Sequence, residues 1–191
     1  MALEKGINCG FVTSAPTSDP NASILVIDFL STSFKDESPA GAVKVTEIGW
    51  WCDNETEEAD YDIGIYSHDS ANNRPDELLG SALNNAKGTT GGWKSVTGLN
   101  ITITPSTIYW IGDQVDNTAT ATNTNYTATP GEKVDYKTFQ SSLPDSWGSS
   151  SGSNERLIAF YAVYETGGGP SVLDYERKTR GVARGVCRGV A

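Results

Sequence analysis

The chain has 191 residues, 20 of them glycine and 8 proline, with 20% charged residues and a formal net charge of −10. This length suffices for one domain with its own hydrophobic core. The acidic balance argues against non-specific binding to nucleic acid or to an anionic membrane, both of which reward a basic surface.

Residues 1–10 hold no apolar signal-like run and no small-residue cleavage site, and the longest aliphatic run, residues 24–27, is too short to cross a bilayer. We therefore expect a soluble protein made in the host cytoplasm without a signal peptide and without membrane insertion. An adhesin-like composition in such a chain points to a virion component freed by lysis, with an extracellular surface as the alternative location.

Residues 6–12 read as a first strand and residues 14–21 as a loop. Residues 22–34 carry a nearly continuous apolar run through Ile24, Leu25, Val26, Ile27, Phe29 and Leu30, which predicts a strand covered on both sides. Residues 35–41 are a connector. In the strand at 43–51, Trp50 and Trp51 must point to opposite faces, one into the core and the other to a second layer, ligand or partner. Tyr61, Ile63 and Ile65 alternate with Asp60, Asp62 and Gly64, the pattern of a half-buried strand with its acidic face outward. Leu99, Ile101 and Ile103 alternate with Asn100 and Thr102 in the same way, and residues 106–112 add a further β-branched and aromatic segment.

Thr118, Thr120, Thr122 and Thr124 alternate with Ala119, Ala121, Asn123 and Asn125. A strand so polar has no evident buried face, so an edge strand, a surface hairpin or a subunit contact is expected. Residues 141–154 read as a flexible Ser/Gly-rich loop, interrupted by Leu143, Pro144 and Trp147. Residues 156–165 form a closing strand, and Gly167, Gly168, Gly169 and Pro170 form a hinge. Short β-rich segments broken by Gly, Asn, Asp and Pro clusters predict an all-β antiparallel sandwich over residues 1–166 with little helix. Its core is expected to hold Ile48, Ile63, Ile65, Leu99, Ile101, Ile103 and Ile108.

Few residues offer chemistry. Cys9, Cys52 and Cys187 form no C-x-x-C pair and have no histidine at ligand spacing. Cys9 and Cys52 could bridge two strands, but buried free thiols suit a chain without a signal peptide better. Asp53, Glu55, Glu57, Glu58, Asp60 and Asp62 cluster at a strand–loop–strand junction. Of these, Asp53, Glu55, Asp60 and Asp62 are the candidate ligands for calcium, the one cofactor considered. A solvated acidic face explains the cluster better, because the spacing matches no EF-hand. Asp113 and Asp116 repeat the signal more weakly.

His68, the sole histidine, lies in a polar turn, and the chain has no Gly-x-Ser-x-Gly elbow, P-loop or dinucleotide fingerprint. A non-enzymatic role follows as the expectation. Trp51, Trp93, Trp147 and Tyr66 are candidates for an aromatic platform against sugar rings, with core or interface packing as the competing reading. The sequons at Asn21, Asn54, Asn100 and Asn125 are what chance supplies in a chain rich in Asn and Thr.

Over residues 43–165 the order strand, Ile65-Tyr66-Ser67 turn, Pro75-x-x-Leu78-Leu79, Gly92-Trp93 and Tyr109-Trp110-Ile111-Gly112 resembles jelly-roll modules of phage structural proteins and bacterial surface proteins. Many such modules have Pro-Gly before the Leu pair, where this chain has Pro75 followed by Asp76 and Glu77. The resemblance implies a jelly-roll-like sandwich serving as a capsid decoration, a fibre subunit or a carbohydrate-binding accessory domain. The expected partners are further copies of itself, other virion proteins or a cell-surface glycan. The motifs carry structure and no catalytic assignment.

Residues 167–191 differ in kind. Arg177, Lys178, Arg180, Arg184 and Arg188 give the last fifteen residues +5, which leaves −15 on residues 1–176. Arg180, Arg184 and Arg188 head three Arg-Gly-Val repeats containing Val182, Val186 and Val190. As helix or strand, the repeat gives an arm with one flat, small-residue side. Such an arm is expected to dock on a neighbouring subunit, a disordered basic extension being the alternative.

Overall fold

Side-chain alternation decides the architecture of this protein. The computed structural model describes residues 1–55, 57–116 and 118–167, and among them it contains β-strands and no helix. The strands are β1 (Gly10–Val12), β2 (Ser23–Val26), β3 (Leu30–Glu37), β4 (Ala42–Cys52), β5 (Asp60–Asp69), β6 (Arg74–Ala86) and β7 (Gly92–Thr102). They are followed by β8 (Ile108–Val115), β9 (Asn123–Ala128), β10 (Val134–Thr138), β11 (Gly152–Asn154), β12 (Arg156–Ile158) and β13 (Phe160–Thr166).

These strands build a six-stranded sheet in the order β11-β10-β3-β8-β5-β6, a four-stranded sheet β1-β13-β4-β7 and a three-stranded sheet β12-β9-β2. Every ladder within them is antiparallel except β1–β13. The result is an all-β sandwich, as its Gly-punctuated, β-branched sequence predicts.

The core lies between the six- and four-stranded sheets. Phe34, Ile63, Ile65 and Ile111 enter it from one side, and Val45, Ile48, Trp50 and Phe160 from the other. Trp50 meets Tyr61 edge-on, with ring centroids 5.7 Å apart and planes at 73°. Each fully buried isoleucine contributes about 1.5–3 kcal/mol relative to an exposed one. Trp50 and Trp51 take opposite faces, as strand geometry requires: Trp50 is buried in the core and Trp51 is half-buried on the outer face.

The outer face of the six-stranded sheet is also covered. Gly64 and Gly112 are register partners on β5 and β8, and their missing side chains leave a floor for bulky neighbours. A Cβ at Gly112 would lie 2.8 Å from the Tyr66 ring, and one at Gly64 would lie 2.8 Å from Leu78 and 2.9 Å from the Gly80 carbonyl. Tyr66, Trp110, Leu143 and Trp147 form a second buried cluster over this floor, with Leu78 packed against it. The segment around Leu143 and Trp147 is thereby a packed flap, where the sequence predicts a flexible loop. The Tyr66 hydroxyl donates to the Pro144 carbonyl at 2.8 Å, and the Trp147 backbone N–H donates to the Asp76 carbonyl at 2.7 Å.

Three further expectations are corrected. The apolar run 22–34 is two strands, because Phe29 adopts a left-handed φ of 56° and breaks the extended chain. Ile24 and Val26 stay exposed on β2, so that run is not covered on both sides. The threonine-rich stretch becomes a strand only from Asn123, and there it is no edge: β9 is the central strand of its sheet, and Thr122 and Thr124 are fully buried. Asp28 draws it in by accepting hydrogen bonds from both the backbone N–H and the hydroxyl of Thr118. Finally, Ile108 is only half-buried while its neighbour Tyr109 turns into the core, and Leu99 packs at the core margin.

Ile63→Ala should therefore cost about 2–5 kcal/mol through an interior cavity, whereas Ile108→Ala should cost roughly 1 kcal/mol or less for its smaller buried area. Urea denaturation of the two variants checks the difference; equal costs would mean that the assigned register is wrong. Gly112→Ala should lose roughly 1–3 kcal/mol to overpacking against Tyr66, read from the same denaturation curves.

Candidate functional site

The residues that could carry nucleophilic or acid–base chemistry are turned to structural use. His68 Nδ1 accepts a hydrogen bond from Trp110 Nε1 at 3.1 Å. Burial, with help from the nearby Lys35 and Lys133 charges, moves its imidazole below the ordinary histidine range and favours the neutral ring. Cys9 and Cys52 are both buried and free. Burial, reinforced by Asp36, pushes the Cys9 thiol up to about 12, and burial raises Cys52 as well, so neither is a ready thiolate. Cys187 lies outside the described residues, as does the basic arm of Arg177, Lys178, Arg180, Val182, Arg184, Val186, Arg188 and Val190.

The acidic cluster is dispersed by the fold. Glu55 and Asp60 are exposed and Asp53 is half-buried, but Asp62 is buried and occupied. Its Oδ1 accepts the Asn84 backbone N–H at 2.7 Å and its Oδ2 accepts the Leu143 N–H at 3.1 Å, which ties the flap to β5. Among the described residues, no three His, Cys, Asp or Glu side chains converge as metal ligands. The proposed aromatic platform is likewise divided. Tyr66, beneath the flap, and Trp147, within it, are fully buried, while Trp51 and Trp93 pair edge-on at 5.4 Å on a different sheet.

Asp113 shows what sequence reading missed. On β8 it shares the inward phase of Tyr109, Ile111 and Val115, and its register partners are Thr32 on β3 and Ile63 on β5. Its carboxylate is buried and neither oxygen has a hydrogen-bond partner. Burial, with the Asp62 charge as a lesser cause, pushes its carboxyl well above the usual carboxylate range and favours the protonated acid. The adjacent Thr32 hydroxyl is also buried without a partner. The signal available in the sequence was Asp113 in the apolar phase of a strand, two residues after Ile111.

Clefts on the surface differ in how their charges are used. One of about 230 Å³ is lined by Lys5, Lys35, Asp36, Glu132 and Lys133 among others. Its cations are already engaged: Lys5 pairs with Asp36 at 2.8 Å and Glu132 at 2.9 Å, and Lys35 donates to Asn73 Oδ1 at 2.7 Å. A second cleft, of about 180 Å³, opens between the three-stranded and six-stranded sheets and is lined by Leu25, Leu30, Thr32, Val134, Tyr136, Asn154 and Arg156. Thr32 lies at its base with its hydroxyl buried and unpartnered, and Arg156 makes none of the ion pairs found among the described residues. Its guanidinium rests over the Tyr126 ring, 4.5 Å from the centroid.

No protein-family model, curated protein or solved structure matches this chain.

The burial of Asp113 has a measurable consequence. Unfolded, its carboxyl ionises near pH 4; folded, it keeps its proton to higher pH. The folded state thus binds more protons over that interval, and stability falls as pH rises through it. Asp113→Asn removes this titration, so the stability difference between variant and wild type should shift in favour of the variant as pH climbs from about 4 to 8. Urea denaturation across that series checks it, and parallel curves would contradict it.

Proposed function

We propose that this protein is a non-enzymatic structural subunit of a virion, a jelly-roll-like capsid decoration or fibre component that acts by self-association. The observation that supports this most directly is β2. It is a terminal strand of its sheet, and it presents Ile24, 59% exposed, and Val26, 48% exposed, on one face. An apolar strand with an unpaired backbone edge is a template for another chain, and natural proteins cover or charge such edges when they must remain single. A second copy of this chain is the occupant we infer, with the basic arm of residues 167–191 steering docking onto the acidic body of a neighbour.

The alternative, a glycan-binding or adhesin module, draws less support. A sugar-stacking platform needs open ring faces, and two of its four candidate aromatics are fully buried.

Native mass spectrometry of the full-length protein should show an oligomer. The double variant Ile24→Lys, Val26→Lys should dissociate it while keeping the β-type circular dichroism spectrum. Deleting residues 170–191 should weaken assembly in a salt-dependent way. A wild type that stays monomeric at high concentration, or a double variant that assembles normally, would remove the basis of this reading.

A further inference from the structure

We infer that two copies of this chain pair about a two-fold axis, each seating its Phe139 ring in the other's cleft between the three- and six-stranded sheets. This contact rests on the self-association proposed above and supplies its anchor. Phe139 is 79% exposed, the most open large hydrophobic side chain among the described residues. Its φ is 58°, and that of Phe29, which it touches, is 56°. Bulky residues rarely adopt this left-handed region, and strain of this sort gathers where a protein clamps or contacts something. The two rings meet edge-on with centroids 5.9 Å apart, so Phe29 braces a ring that the body of its own chain leaves in solvent.

The cleft has the size for that ring. It holds about 180 Å³, and an apolar cavity of ~150 Å³ accepts benzene. Leu25 from β2, Leu30 from β3 and Val134 and Tyr136 from β10 line it, together with the polar Asn154 and Arg156. Ring and cleft lie side by side on one chain. Leu30 lines the cleft and follows Phe29, while its register partner Thr138 precedes Phe139. A patch with a knob beside a hole is self-complementary under a two-fold rotation, which seats both rings at once. Leu25 also makes the cleft continuous with β2, the strand whose open edge the proposed assembly uses. Charge agrees with this seating. Arg156 on the cleft side and Asp28, next to Phe29 on the knob side, belong to none of the ion pairs among the described residues. Bringing knob to cleft sets the acid of one copy against the arginine of the other, which steers approach and fixes orientation.

Phe139→Gly removes the knob without unsettling the fold, because glycine suits a φ of 58° and the ring is mostly in solvent. In the full-length protein this variant should keep or raise the thermal midpoint. Sedimentation equilibrium should show its dissociation constant raised by about thirty-fold or more, the effect of losing one interface hot spot. Leu25→Trp, which fills the cleft from the face of β2 opposite Ile24 and Val26, should likewise give monomers. Mixed together, the two variants should form a heterodimer tighter than either forms alone, since one supplies the ring and the other an open cleft. A wild type that stays monomeric at high concentration would overturn the proposed self-association and this contact with it. A wild-type oligomer unchanged by both substitutions would sink this contact alone, leaving Phe139 to a partner other than this chain. Mixed variants that remain apart would rule out the reciprocal seating.

Discussion

Burial of β5 and β8 on both faces is the constraint from which the rest of this structure follows. Inward, Ile63, Ile65 and Ile111 are sealed by the four-stranded sheet. Outward, the Gly64 and Gly112 pair makes a recess that Tyr66, Leu143 and Trp147 fill. A strand pair covered on both sides cannot shift register by one residue without exchanging isoleucine for glycine across a packed interior. The flap is ordered for the same reason. Its aromatic and aliphatic side chains have a floor to bind, and its backbone is held by Asp62, Asp76 and the Tyr66 hydroxyl.

The same double burial traps polar groups. Asp113 and Thr32 face each other across the β3–β8 ladder in the inward phase, and neither finds a partner. A leucine or valine at either position would pack there without the desolvation cost that an unpaired carboxyl or hydroxyl carries. Departures from consistent patterning of this kind are expected at functional or strained sites, and here both polar groups are sealed between the sheets. The charged cleft lined by Lys5, Lys35, Asp36, Glu37, Glu132 and Lys133 spends Lys5 on Asp36 and Glu132. A region whose charges are mutually satisfied offers a ligand little differential gain.

Much of the sandwich was legible in the residues themselves. The alternations at Tyr61, Ile63 and Ile65 and at Ile101 and Ile103 placed those side chains in the core, where they are found. The adjacent Trp50 and Trp51 divided between faces as any extended strand must. Reading was less successful where the chain turns. The break at Phe29 is a backbone event in a residue with no turn propensity. The threonines at 122 and 124 are buried because Asp28 anchors their segment from 90 residues away in sequence, and no local pattern records that. The four aromatic candidates fall in two places for a similar reason: Tyr66 and Trp147 belong to segments far apart in the chain, and only the flap brings them together at 5.1 Å, away from the Trp51–Trp93 pair.

What the sequence alone determined, then, is the class of element and the phase of each strand. Period-two alternation, β-branched content and Gly/Pro punctuation act over a few residues, and their physics is local. The tertiary structure decided which face of each sheet meets another layer, and so which polar residues are stranded in the interior. Asp62 and Asp113 look alike as acids within strands. One lies on the outer face, where the flap donates a hydrogen bond to it, and the other lies on the inner face, where nothing does. The cleft between the three- and six-stranded sheets is set in the same way. It exists because two sheets fail to close completely along one margin, and burial of that kind depends on contacts between residues as distant as Leu25, Thr32, Val134 and Arg156.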